Sequence, residues 1–456
     1  MGAMELAQRL GNPAEVDASL SDLARGVVGS EILRIAAQIR ALKSKGAEIC
    51  NLTVGDFDPA QFPVPPSLLE GVRAALAAGH TNYPPSDGVL ALREAVTRYY
   101  ARGLGLAYPV ESVLITGGAR PLLYGSYRTV LDPGDMVVYP VPSWNNNHYA
   151  YLCRAQAVEL PVRAEQNFFP TADQLRPTLS HARLLLINSP LNPTGTVIDP
   201  EVLREICELV VEENRRRARA GGDAGKALWL CYDQVYWQLV FGDGASKSDS
   251  TPAQTSTSTP RSASTAARPA VRHATPPEVC ADVAPYTIML DAASKSFAAT
   301  GLRVGWAVMP PAARQRMADI LGHVGAWAPK AEQVAMAALL DDEATIAAYH
   351  KVMRAAVEAR LDRLADGFAA MRRDGLPVEV IAPQGAIYLS VRVLMPGKSN
   401  EQIRKHLLDT AGFALVPFQA FGLAEDSGWF RISVGAVSLA EIDAALPRVR
   451  AALAGR

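Results

Sequence analysis

Cysteine, paired histidine motifs and long apolar runs are what this chain has least of. Its five cysteines (Cys50, Cys153, Cys207, Cys231 and Cys280) are scattered, odd in number and form no CxxC pair. That spacing supports neither a disulfide framework nor a structural zinc site, and it suits a reducing compartment. The seven histidines show no HExxH spacing, so no catalytic metal is expected. No run approaches the roughly 20 apolar residues of a bilayer span. The first residues carry Glu5 and lack a continuous apolar stretch, so a secretory signal is not expected and a cytoplasmic location is. A formal net charge of −1 leaves no excess of positive charge for nucleic acid or an anionic membrane. The local exception, Arg215-Arg216-Arg217-Ala218-Arg219, reads as cations complementing the C-terminal end of a helix.

What is present is alternation. Apolar runs at 113–116, 136–139, 184–188, 227–232 and 287–290 are continuous rather than every-other-residue, as in strands buried on both faces of a mostly parallel sheet. Helical patterns lie between them. One starts at Pro200, a favoured first-turn proline, and places Val202, Leu203, Ile206 and Leu209 on one face. The class is therefore α/β. A chain of 456 residues exceeds one compact core, and two domains are expected. Residues 51–330 form the large one. Residues 331–456, with a long helix at 344–373 and short strands after it, form a smaller α+β one. Residues 1–50, helical around 31–45, supply an N-terminal arm and part of the small domain. The stretch at about 243–277 is rich in Ser, Thr, Ala and Pro, has almost nothing to bury, and is expected to be a mobile surface insertion.

The chemically informative residues fall at the ends of those runs, where open α/β sheets place ligands. The run at 287–290 empties into Ser294-Lys295, followed by Gly301-Leu302-Arg303-Val304-Gly305. A lysine of this kind can be desolvated into a neutral nucleophile, and an arginine fork suits a phosphate. On a loop, the same pair also suits a solvated surface. Gly117-Gly118-Ala119-Arg120 is expected to open a helix whose free amides bind an anion, or simply to make a tight turn. Asp233 ends another run, either as a helix N-cap or as the partner of a protonated ring nitrogen, with Tyr236 aimed at the same ligand. Asn192-Pro193-Thr194-Gly195 projects its asparagine amide from a strand end. Trp144 is either a stacking platform or a half-buried structural ring.

Taken together, Asn192-Pro-Thr-Gly195, Asp233-x-x-Tyr236, Ser294-Lys295 with Gly301-x-Arg303-x-Gly305, and Phe430-Arg431-Ile-Ser resemble the class I/II aminotransferases. These are fold-type-I enzymes that use pyridoxal 5′-phosphate. The resemblance implies a seven-stranded, mostly parallel sheet in a large domain, a small α+β domain and a homodimer with shared sites. It implies that Lys295 binds the cofactor covalently and later moves the substrate proton. Asp233 would keep the pyridine nitrogen protonated, Tyr236 and Asn192 would bond its phenolic oxygen, and Trp144 would stack on the ring. The phosphate would be held by Arg303, Ser294, Gly118, the amides of Ala119 and Arg120, and Tyr83 from the partner subunit. Arg431 would clamp the substrate carboxylate, with Asn192 and the Gly55 amide assisting.

This chain departs from the family pattern in three places. Ala292 stands where many relatives have a phosphate-binding serine. The usual Asp-Glu pair reads Asp233-Gln234, and His148 is a candidate support for Asp233. The implied activity is transfer of an amino group from an L-amino acid to a 2-oxo acid. Aspartate and glutamate lead, their distal carboxylate meeting His323, Lys330 or Arg120. Alternatives are aromatic or bulky apolar amino acids, favoured by Trp327, or a lyase on the same scaffold.

Overall fold

The computed structural model describes residues 10–221, 225–242 and 271–455. After a short first strand, β1 (Cys50–Asn51), seven strands build one sheet. They are β2 (Val113–Thr116), β3 (Met136–Val141), β4 (Gln156–Pro161), β5 (Ala182–Asn188), β6 (Trp229–Asp233), β7 (Thr287–Ala292) and β8 (Gly305–Val308). The order is β2-β8-β7-β6-β5-β3-β4, and all neighbours run parallel except β8, which is antiparallel to both β2 and β7.

The unbroken apolar runs have a direct cause. In β5, Leu185 and Ile187 face one hydrophobic cluster while Leu184 and Leu186 face another; β6 and β7 divide in the same way. Helices cover both faces, so neither set of side chains reaches water. One of these helices, Pro200–Ala220, is capped by the Asp199 carboxylate on the Glu201 amide at 2.8 Å and buries Leu203, Ile206 and Leu209. Val202 is only partly buried.

The C-terminal residues form a second, antiparallel layer. Strands β9 (Val378–Val380), β10 (Tyr388–Val393), β11 (Phe413–Ala414), β12 (Val416–Pro417) and β13 (Trp429–Ser433) follow the Glu343–Arg373 helix. Four of them form a sheet in the order β12-β13-β10-β9, while β11 pairs in parallel with β1. The long helix buries Met353, Val357, Leu361, Leu364 and Phe368, a three-to-four-residue repeat that lays one stripe on this layer. The Glu31–Lys43 helix reaches the same region, where Gln38 accepts from Arg404 at 3.5 Å.

Two expectations need correction. Most of the Ser/Thr/Pro-rich stretch, residues 243–270, lies outside the described residues, but its expected end is not surface. Ala274, Thr275 and Pro276 are buried, and the Ala274 carbonyl accepts from Tyr232 at 2.8 Å, because a short helix with its own capping box starts there. The arginine run is also more than a solvated helix end. Arg217 is buried, pairs with Glu213 at 2.6 Å and donates to the Leu179 and Ala182 carbonyls at 2.7 and 2.6 Å. Among the described residues no helix is long and apolar enough to cross a membrane.

Arg217→Ala leaves Glu213 to Arg216 alone and removes the donor from the Leu179 and Ala182 carbonyls. Denaturant unfolding should show a loss of about 2–4 kcal/mol, whereas Arg215→Ala, on the exposed side, should change stability by less than about 1 kcal/mol.

Candidate active site

A cavity of about 670 Å³ opens at the C-terminal ends of β2, β3, β5, β6 and β7. The parallel strands deliver to it side chains far apart in sequence: Trp144 after β3, Asn192 after β5, Asp233 at the end of β6 and Lys295 just past β7. The second layer supplies Tyr388 from β10 and Arg431 from β13.

Lys295 donates from Nζ to the Gly55 carbonyl at 2.6 Å, with the Phe57 and Tyr236 rings 5.8 and 5.9 Å away. Loss of hydration in the cavity lowers its pKa to about 8. Asp56 pulls the value back up, while Arg431, Arg120 and Arg303 push it further down. Enclosure acts in the opposite sense on Asp233, raising its carboxyl to about 6 against the Val235 amide, which donates to it at 3.1 Å. No helix follows, so Asp233 caps a turn rather than a helix.

Arg431 is fully enclosed. Its Nη1 donates to Asn192 Oδ1 at 3.1 Å and its Nη2 to the Thr53 carbonyl at 2.6 Å. The guanidinium carbon lies 4.8 Å from the Tyr388 ring and 4.9 Å from that of Phe421. Its Nε is buried without a partner among the described residues, and burial lowers its pKa. Gly55 lies against this group, and the polar contact found there is through its carbonyl to Lys295. Tyr236 and Tyr388 share a hydroxyl–hydroxyl bond of 2.6 Å, and burial pushes both phenols up. Gly195 has φ +73° and packs on the Tyr388 carbonyl, so the Asn192–Gly195 turn and β10 meet with no room for a side chain.

The other end of the cavity is an anion cradle. Gly118, at φ +91°, precedes the Ala119–Val130 helix, and a Cβ there would fall inside the Arg303 guanidinium. Arg303 donates to the Thr300 and Gly117 carbonyls at 2.7 and 2.9 Å, which holds its fork beside the free helix amides. Arg120 lies 4.6 Å over the Trp144 ring with no ion pair or hydrogen bond among the described residues. Ser294 and the buried Ala292 complete this side.

These features match a known family. The description "Aminotransferase class I and II" fits residues 47–449. The chain belongs to the class I and II aminotransferases. It is 31% identical to the "Probable aspartate/prephenate aminotransferase" of Thermus aquaticus, over 88% of this chain and 93% of that protein. It is 28% identical to an aspartate aminotransferase of Pyrococcus horikoshii, over 90% and 92% of the two chains. The solved aspartate aminotransferase from Thermus thermophilus with maleate superposes with a TM-score of 0.80 at 26% identity, covering 95% of this chain and 99% of that one. The chain is thus a transaminase that depends on pyridoxal 5′-phosphate. The cavity fits that group: a low-pKa lysine, a glycine-lined arginine and helix terminus for its phosphate, and a buried carboxylate without a cation.

Of the residues picked from sequence, Gly55, Ala119, Arg120, Trp144, Asn192, Asp233, Tyr236, Ser294, Lys295, Arg303 and Arg431 line this cavity, with Gly118 directly behind it. Tyr83 does not; it is 81% exposed and meets Trp327 edge-on at 5.5 Å. Lys330 bonds Asn82 at 2.7 Å and His323 is exposed, so neither lines the cavity of its own chain. His148 does not support Asp233. Asn145 adopts φ +59°, and in the short helix that follows, His148 bonds the Val28 carbonyl at 3.1 Å and Asn147 at 2.8 Å.

Sequence reasoning missed Asp56, Tyr388, Asn188, Ile32 and Leu33. Asn188 accepts from the Asn192 amide at 2.8 Å and donates to the Asp233 carbonyl at 2.9 Å, tying two strand ends together. Being the last residue of an apolar run was its only signal.

The Lys295 value gives a signed pH dependence. Covalent capture of added cofactor by cofactor-free protein, followed by the growth of its absorbance band, requires the neutral amine. The rate should rise about tenfold per pH unit below the pKa and level off above about 8; an unshifted lysine would keep rising toward pH ~10.

Proposed function

We propose that this transaminase acts on dicarboxylic amino acids of the aspartate/glutamate kind, with a 2-oxo acid as acceptor. The observation that carries the reading is that one cavity presents three guanidiniums, none with a carboxylate partner among the described residues; with Arg303 given to the cofactor phosphate, Arg431 and Arg120 remain. A substrate with two carboxylates matches them. Relatives named for aspartate or aspartate/prephenate, and one solved with the dicarboxylate maleate, support the same class.

In this reading Arg431 binds the α-carboxylate, offering the Nε that has no partner among the described residues. Asn192 and Thr53 fix the guanidinium beforehand, so little ordering remains to be done on binding. Lys295, its amine brought toward neutrality by the cavity, would carry the proton from and to the substrate Cα. The bound cofactor supplies an electron sink for the charge left at Cα. Asp233 would hold a proton on the cofactor's pyridine nitrogen. Tyr236, oriented by Tyr388, and Asn192 would donate toward its phenolic oxygen. Arg303, Ser294 and the helix start after Gly118 would hold its phosphate, and Trp144 would offer its ring a stacking face. Ile32 and Leu33 at the cavity favour a second reading, a bulky apolar substrate side chain.

The reading includes a homodimer. Tyr83, Trp327, Asn82 and Lys330 lie together outside their own cavity, and in this reading they serve a partner's phosphate and substrate. It also includes two domains, residues 51–330 around the large sheet, and 331–456 with the N-terminal residues around the antiparallel one.

A panel of amino donors with 2-oxoglutarate tests the substrate class. Aspartate or glutamate should exceed leucine and phenylalanine in kcat/KM by about tenfold or more; parity would sink the dicarboxylate reading. Arg120→Leu should lower kcat/KM for aspartate by about 30–100-fold, the worth of one charge-assisted pair, and leave alanine within about threefold. Lys295→Ala should abolish covalent cofactor binding and its absorbance band.

A further inference from the structure

Behind β6 and β7 lies a buried polar cluster that the chemistry above does not use. Asp291, in β7, is fully buried and does not line the cavity, although its neighbour Ala292 does. Its Oδ1 accepts from the Ala292 amide at 2.7 Å. Its Oδ2 accepts from Trp237 Nε1 at 2.7 Å and from the Tyr100 hydroxyl at 3.4 Å. Tyr100 in turn accepts from Gln234 Nε2 at 3.2 Å and Trp306 Nε1 at 3.1 Å. The far end of the Gln234 amide meets His273 Nε2 at 3.2 Å. No cation pairs with Asp291 among the described residues.

This cluster grips one side of a short turn whose other side is the active site. Within residues 233–237, Asp233, Val235 and Tyr236 line the cavity, whereas Gln234 and Trp237 do not. Those two side chains carry the turn's rearward polar groups, and the N–H donors of both lead to Tyr100 or Asp291. The Trp237 ring is boxed in: it packs against Gly103, where a Cβ would collide with it, and meets Tyr99 edge-on at 5.4 Å. Its N–H therefore has one acceptor and one direction.

We propose that Asp291 is a positioning residue for transamination: by accepting from Trp237 and Tyr100 it fixes the 233–237 turn, and so the direction in which Asp233 and Tyr236 enter the cavity. The proposal rests on the roles given above to those two residues. Burial raises the Asp291 carboxyl well above the usual range; the Ala292, Trp237 and Tyr100 donors act against this, and nearby Asp233 adds to it. The titratable groups facing it are thus Asp233 on β6, and Tyr99 and Tyr100 on the Leu90–Leu104 helix, whose phenols burial pushes up first and Asp291 second.

The test uses holoenzyme carrying Asp291→Asn and, separately, Trp237→Phe, which keeps the ring and removes the donor. Each should lower kcat about tenfold while KM for the amino donor stays within about threefold. Each should also move the pH midpoint of the bound cofactor's absorbance band, and the double variant should be no worse than the weaker single, as expected of one shared interaction. Cofactor-free Asp291→Asn should show an altered near-ultraviolet circular dichroism from the freed indole.

Folded variants with unchanged kcat and an unchanged absorbance midpoint would overturn the proposal. So would a kcat loss that only follows the fraction unfolded. Asp233→Ala and Tyr236→Phe, assayed alongside, separate the two levels. If they retain full activity the site reading fails; if they lose it while Asp291→Asn does not, the positioning role alone fails.

Discussion

A guanidinium buried without a protein carboxylate is the constraint around which this molecule is arranged. Arg431 comes from β13, in the antiparallel layer, yet it is held by Asn192 from the turn after β5 and by Thr53 from the segment after β1. Three distant stretches must therefore meet at one group before the site exists. A charge in such a place is costly unless its donors find acceptors. Here two find neutral oxygens, and the aromatic faces of Tyr388 and Phe421 take up part of the remaining field. The Nε without a partner is the part of that cost left for an anionic ligand to offset.

The same positive field organises the rest of the cavity. Arg120, Arg303 and Arg431 all depress the Lys295 amine, in addition to its loss of hydration. One set of cations thus attracts anionic ligands and keeps the nucleophile near neutrality. Asp56 works against them, and Asp233 sits far enough within the fold that burial is its largest influence. The arginines thus act on the Lys295 amine through the field.

Legibility from sequence followed the physics of each residue. The sheet was readable because burial on both faces writes itself as unbroken apolar runs, and the strand ends then named Asn192, Asp233 and Lys295. Arg303 was picked out by its spacing from Lys295 among glycines, whereas Arg431 was found through motif resemblance, since no periodicity marks it. Tyr388 was not readable. It lies inside an ordinary strand, and only the approach of β10 to Gly195 and Tyr236 gives its hydroxyl a role. His148 misled for the converse reason. Its position near Trp144 in sequence is real, but the left-handed Asn145 redirects the chain, so that sequence proximity does not become contact. Ala274–Pro276 misled because composition averages over a window, while a capping box and one buried carbonyl act at single residues.

The departure at Gln234 is better understood from the structure than from the pattern. A glutamate there would set a second buried carboxylate against Tyr100, the phenol that also donates to Asp291. His273 is held neutral, its pKa lowered by burial to about 3, so it offers no compensating charge. An amide avoids that conflict because it presents a donor to Tyr100 and an acceptor to His273 at once. The turn thus has one carboxyl on each side, Asp233 facing the cavity and Asp291 behind it.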